Sequence, residues 1–381
     1  MRHAFVRENS MRLSKLIASI AVSAVTMAAK IAIAAPQVNS VDGTLAHGAR
    51  LTINGAAFGA KAGAAPAVWE TCPQEGLSSQ WSGAWPNRST NSDYNLRCRA
   101  PIRGIQPPHA NVSNYMAGAH GETNGYNAGW NVMAYKTRTI TTYPAYGYYS
   151  WYERNDPNWR FGIGSNGDNN HKTWDFSEGT EPYSMPPNWY VEHKPSFSSA
   201  TSSGEFHLLD DAGNFPLSVW GNTPIPNPWQ EWVKVEVIVK YTKDATGWVK
   251  VFSNNKLLLD EAGLVTDPYA GNVRTEAIGG FTRNVNSASN WRYFSDMYID
   301  YSLSRVVLAN SATYSQATIV EVQPALAWAD GQVSFNANLG RLAGSSTIYL
   351  FVFDANGVAN TSGYRLAGPP PPRAPASFLV Q

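Results

Sequence analysis

An all-β chain is predicted by three observations. Short runs with period-2 alternation recur along the sequence, and Gly, Pro, Asn and Ser separate them. Beyond the first residues, polar or Pro/Gly residues also interrupt nearly every 3.6-residue pattern. Residue usage agrees: 31 Gly and 24 Pro accompany 14 Trp, 19 Tyr and 14 Phe, while only 15% of residues are charged. Rings and β-branched side chains suit pleated surfaces, and Gly and Pro suit the turns between them.

The N-terminus is the exception. Arg2, Arg7, Arg12 and Lys15 precede an apolar run from Leu16 to Ala29 and the small-residue segment Ala32-Ile33-Ala34-Ala35. This order predicts a secretory signal peptide over residues 1–34, because a spanning helix needs about 20 apolar residues and this run stops at Lys30. A start at Met11 gives a more compact leader. The expected location is therefore secreted, either periplasmic or extracellular, and no later stretch is long and apolar enough for a transmembrane segment. Lys and Arg number 29 against 28 Asp and Glu, but five of the bases and one of the acids fall in the leader, so the remainder is slightly acidic. Nucleic acid is disfavoured as a partner, since neutralising phosphates needs a basic surface. Cys72 and Cys98 are the only cysteines. An oxidising compartment favours a disulfide between them, and neither has the surroundings that activate a free thiol.

Residues 35–70 follow a proline with S-V-x-G (from Ser40) and G-x-x-L-T-I-x-G-x-x-F-G (from Gly48). This pattern resembles the opening half of an IPT/TIG domain, an immunoglobulin-like sandwich. The strands that should complete it do not follow, and half a sandwich cannot bury its own core. Residues 305–367 offer RVVLAN, TIVEVQP, GQVSFNANLG and STIYLFVFDANG. They are expected to supply the missing half, with residues 71–304 inserted between the two parts; two separate sandwiches, one truncated, are the alternative. Residues 368–381, GPPPPRAPASFLVQ, read as an extended, disordered Pro-rich tail.

Within the centre, Val233, Val235, Val237 and Val239 alternate with Lys234, Glu236 and Lys240, Ile238 being the exception. A turn at residues 243–247 leads to Trp248–Phe252, and Ser253-Asn254-Asn255-Lys256 turns again into Leu257–Leu259. This order of strands resembles the concanavalin A-like jelly roll shared by laminin G-like modules, legume-type lectins and several polysaccharide lyases. Trp291–Leu308 fits the return strand that closes such a sandwich.

The most distinctive stretch runs from Tyr143 to Trp174. Alternation sends Tyr146, Tyr148 and Tyr152 to one face and Tyr149, Trp151 and Glu153 to the other. Rings on both faces imply either two buried faces or a ring-lined groove, and flat rings beside hydrogen-bonding groups are what a sugar surface selects. The resemblance implies a concave sheet that receives a glycan. Glu153 points to the second set as the wet face, with Arg154 and Asn170-His171-Lys172 at its rim and Trp159 and Trp174 as further ring platforms. Amides and an ammonium suit hydroxyls or a uronate carboxylate. Asp168 with Asn166 and Asn169 could offer oxygens to calcium, but no twelve-residue calcium loop is present, and no other cofactor or metal is implied.

For an enzyme, Tyr190 and His193 beside Glu192 and Lys194, together with Arg283, could supply the acid, base and cation of a β-eliminating polysaccharide lyase. Hydrolysis is disfavoured. The E-x-D-x-x-E strand of laminarinase-type glycanases and the G-x-S-x-G elbow are absent, and Arg274-Thr275-Glu276-Ala277 echoes only part of the R-x-E-L-R strand of alginate-lyase jelly rolls. The expected function is binding of extracellular polysaccharide. The lyase is the first alternative, and a structural adhesion or surface-assembly protein is the second.

Overall fold

The computed structural model describes residues 34–76, 78, 80, 96–119, 133–139, 146–159, 171–179, 189–194, 205–210, 219–220, 228–279 and 290–367. Apart from Ala34, the expected signal peptide, residues 1–34, lies outside these residues, as does the expected Pro-rich tail. The regular elements described are strands, apart from short 3-10 turns at Tyr314–Gln316 and Gly340–Leu342. The all-β class holds, and no described helix is long and apolar enough to cross a membrane.

In chain order the first strands are β1 (Gln37–Asp42), β2 (Arg50–Ala56), β3 (Val68–Glu70), β4 (Arg97–Arg99), β5 (Tyr115–Ala119), β6 (Met133–Thr139), β7 (Tyr146–Asn155), β8 (His171–Glu178), β9 (Trp189–Lys194), β10 (Glu205–Asp210) and β11 (Val219–Trp220). They continue with β12 (Val233–Lys240), β13 (Gly247–Ser253), β14 (Lys256–Leu264), β15 (Val273–Gly279), β16 (Trp291–Asp300), β17 (Arg305–Ala309), β18 (Val320–Gln323), β19 (Ala325–Ala329), β20 (Gln332–Asn336), β21 (Ile348–Phe353) and β22 (Tyr364–Ala367).

Two sheets form the central sandwich. One has six strands in the order β11-β10-β9-β8-β15-β6, and the other has eight, β14-β13-β12-β7-β16-β5-β4 with β3 beside β16. Their inner faces share one core. Val233, Val235, Val237 and Val239 point inward as their alternation requires, and Trp174, Phe176, Trp189 and Val191 meet them from the opposite sheet. Asn254 and Asn255 have φ of 46° and 62° and close a two-residue hairpin that pairs Ser253 with Lys256.

Two four-stranded sheets, β1-β2-β20-β19 and β18-β17-β21-β22, form a second sandwich. Its core includes Leu51, Ile53, Phe58, Val306, Val333, Phe335, Leu350 and Val352. β2 pairs with β20 from Arg50 opposite Asn336 to Asn54 opposite Gln332, so strands from both ends of the sequence share one sheet. Gly55 lets β1 and the Phe58 ring come close to the end of β2. A Cβ there would lie 1.9 Å from the Gln37 carbonyl oxygen and 2.4 Å from the Phe58 ring.

Trp291–Leu308, expected to be one return strand, is two. β16 lies inside the eight-stranded sheet, whereas β17 enters the second sandwich. The short segment Tyr301–Ser304 between them carries the chain from one sandwich to the other.

The second sandwich covers the outer face of the eight-stranded sheet. Tyr148, Ile238 and Tyr298 pack there against Leu303 and Val322. The Tyr152 hydroxyl donates to Glu321 Oε1 at 2.6 Å, and Lys234 Nζ donates to the Val320 carbonyl at 2.6 Å and lies 3.1 Å from Glu321 Oε2. β7 therefore has rings on both faces because both faces are buried.

Cys72 and Cys98 are disulfide-bonded, with Cα atoms 5.3 Å apart, and both sit in the central core. Reduction is expected to cost about 3 kcal/mol by releasing a loop in the unfolded chain. Denaturant midpoints with and without reductant measure this, and identical midpoints would show that the bond contributes nothing.

Candidate functional site

With Trp174 and Phe176 in the inter-sheet core, Asp175 and Ser177 point to the outer face of the six-stranded sheet. Trp189 and Val191 likewise direct Tyr190 outward. The register sets Asp175 opposite Tyr190 on β9 and opposite Ala277 on β15. Lys172 reaches this face through a bulge. The β8–β9 register shifts between Lys172 and Trp174, and the extra residue, Thr173, returns Lys172 to the side that Asp175 and Tyr190 occupy.

The Lys172 ammonium sits 3.3 Å from the centre of the Tyr190 ring, a cation held against a π-face. Lys172 and Tyr190 are 3% and 5% exposed, and Asp175 is fully buried. Charges removed from water to this degree act over longer distances than surface charges. Arg292, fully buried on β16, donates from Nη1 to the Lys172 carbonyl at 2.6 Å and so ties the bulge to the opposite sheet. The Lys172, Tyr190 and Asp175 side chains are all buried where they stand, so the face is not an open groove at these positions.

The residues expected to line an open groove lie elsewhere. Tyr149 and Trp151 are fully buried in the inter-sheet core, and Trp174 joins them, its ring centre 5.1 Å from Tyr149 and 4.7 Å from Trp189. The expected wet face is thus an interior one. Glu153, taken as its marker, is 1% exposed, and its Oε2 accepts from Trp151 Nε1 at 2.9 Å and from the Thr173 hydroxyl. A carboxylate satisfied from within does not need solvent. Arg154 is not at its rim but follows Tyr152 on the opposite face, where burial pushes its pKa down while Tyr293 and Tyr115 act the other way.

Trp159 and His171 are also buried, their rings edge to face at 5.0 Å, with Trp229 5.4 Å from His171 on another side. Of the expected rim, only Lys172 is on the outer sheet face. Asn170 and Arg283 lie outside the described residues, as do Asn166, Asp168 and Asn169. The backbone of His193 pairs with His171 and with Phe206, but its side chain is not among those described. Tyr190 is therefore joined by Lys172 and Asp175.

Arg274 and Glu276, the partial R-x-E echo, face inward. Glu276 accepts from Arg138 Nη2 at 2.7 Å, from the Tyr149 hydroxyl at 2.7 Å and from the Tyr301 hydroxyl at 2.8 Å. Burial, followed by the Glu276 charge, pushes the Tyr149 hydroxyl well above its usual pKa and keeps it protonated. Arg274 is held by Asp267, with Nη2 2.8 Å from Oδ1. Both side chains are committed to structural networks. Asp175 was missed in the sequence although its position between Trp174 and Phe176, two inward rings, marks it as outward.

No family model and no curated protein matches the sequence. Solved structures similar to it include an endo-β-1,4-glucuronan lyase from the fungus Trichoderma reesei, at 9% identity and TM-score 0.41 over 62% of this chain and 95% of that one. An alginate lyase from Zobellia galactanivorans aligns at 9% identity and TM-score 0.34 over 70% of this chain and 94% of that one. An alginate lyase from Chlorella virus aligns at 11% identity and TM-score 0.34, covering 54% of this chain and 89% of its own.

Proposed function

We propose that this is an exported protein that binds acidic polysaccharide on the outer face of its six-stranded sheet, with Lys172 and Tyr190 at the centre of the site. The observation that carries this reading is the group Lys172, Tyr190 and Asp175: an ammonium over a phenol ring, with a carboxylate across the strand pair. A uronate offers its carboxylate to the cation and its hydroxyls to the phenol and the acid. The β7 rings hold the fold and leave recognition to these polar groups. The leader supports export, and a disulfide suits an oxidising compartment. The second sandwich is read as an immunoglobulin-like domain of the IPT/TIG kind, interrupted after residue 70 and resumed at residue 305, which carries the jelly roll by covering its other face.

A phenol beside an amine favours lyase activity as the second reading. In β-elimination a base removes the proton on the carbon next to the uronate carboxyl. The C–O bond to the departing sugar breaks as the ring double bond forms, and an acid protonates the released oxygen. Tyr190 would move the proton, and Lys172 would neutralise the carboxylate as negative charge builds on it.

Retention on a panel of immobilised polyuronates tests both readings. The intact chain is expected to bind at least one polymer, and Lys172→Ala to weaken that binding about tenfold or more, as expected when a charge-assisted contact is lost. Unsaturated ends absorbing in the near ultraviolet would establish elimination; binding without them supports binding alone. Retention of no polysaccharide, or full retention by Lys172→Ala, would overturn the proposal.

A further inference from the structure

Where the two sandwiches meet, a cavity of about 260 Å³ opens between the turn at His47, strand β3, the segment before β5, and residues of β16, β19 and the end of β20. Asp296 lines it and is built unusually. It is the extra residue of a bulge in β16: Ser295 pairs with Tyr152 and Tyr298 with Ser150, so the strand gains one residue on its partner. Its φ is 48°, in the left-handed region, which costs a side-chain-bearing residue on the order of 1 kcal/mol. Asp296 is 4% exposed. Oδ2 accepts a hydrogen bond from Nε2 of the buried His109, but Oδ1, buried as well, has no partner. A half-satisfied buried carboxylate on strained backbone is a double cost that packing does not explain.

The rest of the cavity says what would complete it. Burial alone would push the His109 pKa down, but the hydrogen bond and charge of Asp296 outweigh it and raise it, so Asp296 Oδ2 is already engaged by His109. His47 is driven the other way, first by burial and then by His109. Its Nδ1 accepts from the Leu339 amide at 3.4 Å, leaving Nε2 as a donor. The half-buried Trp69 lines the same space, its ring edge to face with Tyr298 at 6.0 Å, and Asn111 and Asn338 add amides. A flat ring, an acceptor without a donor and an imidazole N–H match a sugar ring with its hydroxyls.

We propose that this cavity binds one neutral pyranose unit, whose apolar face lies on Trp69 and whose hydroxyl donates to Asp296 Oδ1. The volume falls below the roughly 300–1,000 Å³ of sites for drug-sized ligands, which limits the occupant to about one ring. A uronate does not fit, because its carboxylate would meet the Asp296 carboxylate while His109 is already held by Asp296 Oδ2. The site shares no residue with the sheet face that carries Lys172.

Calorimetric titration of the full chain with the methyl glycosides of glucose, galactose and mannose, and with methyl glucuronide, tests the proposal. At least one neutral glycoside should bind saturably at one site, with the glucuronide at least tenfold weaker. Asp296→Asn keeps a residue type that tolerates left-handed backbone and should reduce the affinity at least tenfold. Leu326→Trp, at a 46% exposed position on the rim, should block the cavity without touching the core. Excess polyuronate should not displace the glycoside. Absence of binding by all three neutral glycosides, undiminished binding by either folded variant, or displacement by the polymer would overturn it.

Discussion

Glu321→Ala is expected to destabilise the folded chain by about 3–5 kcal/mol, seen as a lower denaturant midpoint at unchanged slope. Glu321 is fully buried between the two sandwiches. It accepts from the Tyr152 hydroxyl, from Lys234 at 3.1 Å and from the Arg341 amide at 2.8 Å. Truncation strands an ammonium that is 5% exposed and orphans two more donors. The site has no room to adjust, since a Cβ on Gly340 would lie 2.2 Å from the Glu321 carboxyl carbon. Glu321→Leu combined with Lys234→Met should recover most of the loss, because removing both charges of a buried pair is often nearly neutral. A double variant no better than Glu321→Ala would mean that the shape of the glutamate, and not its charge, is what the interface requires.

Trp151→Ala is expected to cost about 3–5 kcal/mol, the usual range for a large ring removed from a packed core. It deletes an indole packed between the sheets and the Nε1 donor that satisfies Glu153, so a cavity and an unsatisfied carboxylate arise together. Polysaccharide retention by the fraction that remains folded should be unchanged. Weakened retention at full stability would instead make Trp151 a ligand platform.

These two residues also show what the sequence made legible. Alternation placed Val233, Val235, Val237 and Val239 on one face and Tyr149 with Trp151 on one face, and both sets are found that way. It cannot say what covers a face. The partner of Tyr152 is Glu321, 169 residues further on, and nothing local to β7 announces it. Glu153 pointed to solvent because carboxylates are seldom buried, but Trp151 and Thr173 supply its donors. Local pattern also fails at irregularities. The bulge at Thr173 turns Lys172 away from His171's surroundings and toward Tyr190, and a strict period of two assigns Lys172 to the wrong side. The stretch from Trp291 to Leu308 hid a change of sheet in the same way, since every residue of β16 and β17 is buried, polar ones included, and leaves no period to break.

The pairing of β2 with β20 has a consequence for how the chain folds. Arg50 meets Ser334 across 284 residues, so the β1–β2 pair has no third strand to complete its sheet until nearly all of the rest has been made. Until then β2 offers an unpaired backbone edge bearing Leu51 and Ile53, a template for wrong pairing with other chains. Speed of assembly should therefore depend on the last strands, and chains cut short before β20 should aggregate through the first.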